Sequence, residues 1–167
     1  MSQPNPWHDE TLTRFTAGPA KLAVALAGLP ETAHDFSLAW GEWSIRQTVH
    51  HLADDGDAWC FILKKAIATP GAPIRFEGFP GNEAWAAGLG NDRRQIDSAL
   101  ALIDAHNRLM VELVTTLGDV WDRHIVILDA NGRETQKVTA GEMIGFLGEH
   151  VDEHVAVIQA IRQKHGI

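Results

Sequence analysis

Cysteine is nearly absent from this sequence. Cys60 stands alone, so no internal disulfide forms and a cysteine-rich zinc site is excluded. A single thiol suits a reducing compartment, and the expected location is the cytoplasm. Basic residues are also scarce: 14 Lys and Arg against 22 Asp and Glu give a net charge of −8, with no basic run. Phosphate backbones are gripped by clustered cations, so nucleic acid is not expected as a partner. No stretch approaches the ~18 consecutive apolar residues of a membrane span, and Met1 to Trp7 lack the charged and apolar regions of a leader, so no membrane association is expected. A Ser-His-Asp constellation, a Gly-rich phosphate loop between strand and helix, and internal repeats are missing as well. Any nucleophile must therefore come from solvent or a cosubstrate.

What the chain does have is helical periodicity. Its 167 residues suit one sizeable core, and residues 1–167 are expected to form a single domain. Leu12, Phe15, Pro19, Leu22, Leu26 and Leu29 predict a first helix over 8–28, interrupted and kinked at Gly18-Pro19. Ser44 and Gln47 have the form of a capping box, with Trp43 as staple residue. They start a second helix that runs to about Ala68, with Ile45, Thr48, Leu52, Trp59, Ile62 and Leu63 inward. Residues 68–91, rich in Pro and Gly, read as a long crossover whose Phe76, Phe79 and Trp85 could roof a site. A third helix is expected from Asp92 to Leu117, with Ile96, Leu100, Ile103, Met110, Val114 and Leu117 inward. Ile125 to Leu128 and the run ending at Val138 flank Asn131-Gly132, a hairpin signal, and Thr139 with Glu142 caps a last helix over 139–164.

On that last helix, stepping roughly 100° per residue gathers Met143, Phe146, Leu147, Val157, Ile158 and Ile161 into one apolar stripe. His150 and His154 fall inside it, one above the other. Two buried imidazoles at this spacing need partners, and a divalent ion satisfies both where two separate hydrogen bonds would otherwise be required. The second helix offers His50-His51 as a further ligand. His51 lies roughly 90° from the stripe centre and reaches the interior from the seam, whereas His50 lies nearly opposite and is expected at the surface or against a loop. The candidate ligands are therefore His51, His150 and His154. His106 sits on the flank of its helix, as packing or as a further ligand, and Cys60 reads as a small core residue. His150 to His154 also matches the H-x-x-E-H pattern of the inverzincin proteases, but no acidic residue follows His154 to complete that site. Glu153 is left as a candidate base or a solvated carboxylate.

Trp43-Ser44-Ile45-Arg46-Gln47-Thr48-Val49-His50-His51-Leu52-Ala53-Asp54, paired with His150 and His154, resembles the DinB-like superfamily, and its YfiT-type branch most of all. The Pro19 break, Asn82 to Trp85, His106 and the strand pair before the last helix fit as well. The resemblance covers essentially the whole chain. It implies an all-α four-helix bundle of up-down-down-up connectivity, with the long crossover between helices two and three and the small β-hairpin before helix four. It further implies one divalent ion, zinc or nickel, on three histidines, and a homodimer. The activity it implies is that of a metal-dependent hydrolase or a thiol S-transferase acting on a small molecule, with a low-molecular-weight thiol as one possible cosubstrate and a non-catalytic metal-stabilised bundle as the alternative. Family members often carry His or Gln where this chain has Val157, and His where it has Gly56.

Overall fold

Side chains at the first turns determine where the helices begin. The computed structural model describes residues 5–75 and 83–167. Its helices are α1 (Pro6–Leu26), α2 (Ile45–Ala68), the short α3 (Glu83–Leu89), α4 (Asp97–Leu117) and α5 (Ala140–His165). Ser44 and Gln47 form the reciprocal capping box of α2, and Thr139 and Glu142 form that of α5. Each box satisfies two backbone N–H groups that would otherwise lack partners. Among the described residues, no helix is long and apolar enough to cross a membrane.

Helix α1 runs through Pro19 as one element, where the sequence predicts an interruption. Proline removes the N–H that would bond the carbonyl four residues back, which is that of Phe15. Asn107 of α4 supplies the missing donor: its Nδ2 lies 2.6 Å from the Phe15 oxygen. With that carbonyl paired, the helix can continue across the proline. Helix α1 also lies very close to α5. A Cβ on Gly148 would stand 3.3 Å from the Phe15 backbone nitrogen, so the glycine is what permits this approach.

The expected hairpin is part of a larger sheet. Strand β2 (His124–Leu128) pairs antiparallel with β3 (Glu134–Thr139), and β1 (Pro73–Arg75) adds in parallel on the other side of β2. A parallel partner some fifty residues away leaves no turn signature, which is why the sequence shows only the hairpin. The third long helix starts at Asp97 rather than Asp92, and α3 precedes it. Gly90, at φ +64°, ends the short helix.

Two buried clusters meet inside the bundle. One joins Ile62, Leu63, Met110, Ile125, Met143 and Ile144; the other joins Leu22, Ile45, Val49, Ile103, Ile158 and Ile161. Each such side chain contributes about 1.5–3 kcal/mol on burial. Two residues assigned inward are in fact exposed: Leu117 (47%), at the C-terminal end of α4, and Phe146 (44%), which packs on Trp59. Along α5 one cluster runs to Leu147 and the other takes up Val151, with His150 between them.

Candidate metal centre

Helices α2 and α5 bring their histidines to one spot. Ring nitrogens of His51, His150 and His154 all lie within 4.8 Å of one another. The Nε2 atoms of His51 and His150 are 3.0 Å apart. The three rings meet edge to face, with centroids 5.0, 4.9 and 4.5 Å apart. The i,i+4 spacing on α5 brings two of them together on one face, and His51 enters from α2. His51 is buried, and the other two are half-buried. Trp43 packs edge-on against His51 at 4.7 Å, and Phe146 stacks on His150 at 5.4 Å. Phe146, expected in the core, thus forms part of the wall of the site.

Burial disfavours the charged form of His51 and of His154. Burial, followed by repulsion from the neighbouring His150 and His51, lowers His154 to about 3. Burial also lowers His51, partly opposed by the attraction of Asp55. Neutral imidazole is the form that binds a metal. The sequence reading overlooked Asp55, four residues after His51 on the same face. Its Oδ2 lies 3.0 Å from His150 Nε2 and 3.7 Å from His51 Nε2. Its Oδ1 and the Nδ1 of His51 are buried without a hydrogen-bond partner among the described residues. Three converging ring nitrogens, a buried carboxylate and an unpaired carboxylate oxygen together fit a divalent cation.

The depressed histidines predict acid sensitivity of the metal-free protein. A folded value below the unfolded one means the unfolded chain takes up more protons, so stability is full above about pH 6.5 and falls as pH drops toward the folded values. Urea midpoints of metal-free protein should decline from pH 6.5 down to about 4. A flat profile over that window would contradict the assignment of neutral, buried rings.

The remaining candidates lie outside this group. His50 is buried rather than at the surface, and its Nε2 approaches the Arg94 carbonyl at 3.3 Å, so it contacts a loop. His106 pairs with Asp57 at 3.0 Å and packs where a side chain on Gly56 would stand. That packing accommodates the departure at Gly56. Cys60 is a core residue, its thiol raised to about 12 by burial. Glu153 is exposed; the carboxylate that reaches the imidazoles is Asp55. Trp85 lies on α3 and is 38% exposed, while Phe76 and Phe79 lie outside the described residues.

The chain is similar to proteins whose names state metal dependence. A relative from Bacillus licheniformis that carries the name "Putative metal-dependent hydrolase" is 31% identical over 150 residues, covering 89% of this chain and 81% of its own. One of the same name from Bacillus cereus is 25% identical over 146 residues, covering 87% and 80%. YfiT from Bacillus subtilis, described as a probable metal-dependent hydrolase with an unusual four-helix bundle topology, shares the fold with a TM-score of 0.82 at 23% identity, over 99% of this chain and 91% of its own. The mycothiol-dependent maleylpyruvate isomerase shares it more loosely, with a TM-score of 0.61 at 19% identity; the match covers 90% of this chain and 60% of the isomerase. The DinB superfamily profile matches residues 14–158. That span takes in the capping box of α2 and all three clustered histidines, and the chain belongs to the DinB superfamily.

Proposed function

We propose that the chain is a metal-dependent enzyme that activates a small nucleophile, water or a low-molecular-weight thiol, with His51, His150 and His154 holding one zinc or nickel ion. The observation that carries this reading is the convergence of three ring nitrogens within 4.8 Å, supplied by two helices. A divalent ion on such a set supplies Lewis acidity that brings the pKa of a water or thiol toward neutrality. Burial holds His51 and His154 unprotonated. Trp43 and Phe146 pack against the imidazoles and limit their access to water.

Hydrolysis is the first form of this reading, supported by the names of the two Bacillus relatives. Thiol transfer is the second, supported by the mycothiol dependence stated for the isomerase of similar fold. Glu153, exposed on α5, remains a candidate base. The test is turnover of a small electrophile by metal-loaded protein, with and without bacillithiol, mycothiol or glutathione. Thiol-independent product lost in His51→Ala supports the hydrolase, and thiol-dependent product lost in the same variant supports the transferase. Absence of both, with full metal occupancy, would leave a metal-stabilised bundle.

We also read residues 1–167 as one domain with up-down-down-up helix order, supported by the extended connection between α2 and α4. A cytoplasmic homodimer completes the reading. The fully exposed Trp40 and the largely exposed Phe61 support an interface, and a monomeric mass by light scattering at every concentration would count against it.

A further inference from the structure

The geometry assigns a fourth protein donor, Asp55, to the ion held by His51, His150 and His154; the assignment rests on the three-histidine reading. The Asp55 side chain is 8% exposed, and its Oδ1 is buried with no hydrogen-bond partner among the described residues. Among the described residues its Oδ2 is paired only with imidazole nitrogens, 3.0 Å from His150 Nε2 and 3.7 Å from His51 Nε2. A buried carboxylate in this position needs a cation.

Which side of the rings it occupies decides its role. A carboxylate that orients a ligating histidine bonds the ring nitrogen that does not hold the metal. Asp55 stands on the other side, beside the Nε2 atoms through which His51 and His150 face each other. An ion drawing on those nitrogens meets the carboxylate oxygen at the same edge. The i,i+4 spacing from His51 to Asp55 on α2 mirrors the spacing from His150 to His154 on α5, so each helix supplies two donors from consecutive turns. An added carboxylate lowers the net charge of the site and makes the donor set mixed nitrogen and oxygen.

Cobalt titration of the metal-free full chain tests the assignment, with affinity and visible absorption as readouts. Asp55→Ser should weaken cobalt binding on the order of 100-fold, about a quarter of the binding free energy of a four-donor structural site. Asp55→Cys should gain a sulfur-to-cobalt charge-transfer band that the wild type lacks, because a side chain at position 55 reaches the ion. Equal affinity and an unchanged spectrum in Asp55→Ser would overturn the proposal, as would a folded, cobalt-loaded Asp55→Cys without the band. If Asp55→Cys fails to fold, the affinity of Asp55→Ser decides alone. A wild type that binds no cobalt would instead overturn the three-histidine reading beneath it.

Discussion

His150→Ala and His154→Ala, each made alone, are expected to abolish stoichiometric metal binding, with affinity falling about 1,000-fold or more. Each removes one of three nitrogens that converge within 4.8 Å, and no other histidine of the described residues stands ready to replace it. His51→Ala should behave the same way from the opposite helix. The informative control is His50→Gln. His50 neighbours His51 in sequence, but its ring nitrogen is directed at the Arg94 carbonyl, so this variant should keep full metal content even if it loses some stability. Isothermal titration with zinc and with nickel separates the cases. Loss of binding in His50→Gln with retention in His51→Ala would reverse the assignment.

Removal of the ion should lower thermal stability strongly. A ligand at 1,000 times its dissociation constant stabilises the folded state by about 4 kcal/mol. For a chain of 167 residues that is a fall of about 10 °C in Tm. The origin is local: without the ion, Asp55 Oδ1 stays buried without a hydrogen-bond partner among the described residues, beside the His51 and His150 nitrogens 3.0 Å apart. Calorimetry before chelation, after chelation and after re-addition of zinc or nickel measures the shift and its reversibility. An unchanged Tm through all three steps would deny the site any structural weight.

The parts of this centre legible in the sequence are those that obey helical geometry. The His150 and His154 pair sits in an apolar stripe, and two capping boxes fix the registers of α2 and α5, so the wheel could choose His51 over His50. The same geometry marks Asp55, four residues after His51, but a carboxylate in a His-His-Leu-Ala-Asp-Asp run looks like an ordinary solvated charge until α5 is packed against it. What stayed hidden depends on contacts between distant segments. The continuity of α1 through Pro19 needs a donor from Asn107, ninety-two residues away. The parallel pairing of Pro73 with Val126 has no local turn to announce it. Phe146 fits the apolar periodicity of α5, yet it is half-exposed and packs between the rings of Trp59 and His150.

Metal content of protein purified without chelators and then equilibrated with zinc or nickel, measured per chain by mass spectrometry of the native protein, tests the central claim most directly. One divalent ion per chain in the wild type, and none in His51→Ala or His150→Ala of native secondary structure, is the predicted result. A wild type that stays metal-free with both ions, or a His150→Ala chain that keeps its full complement, would contradict it.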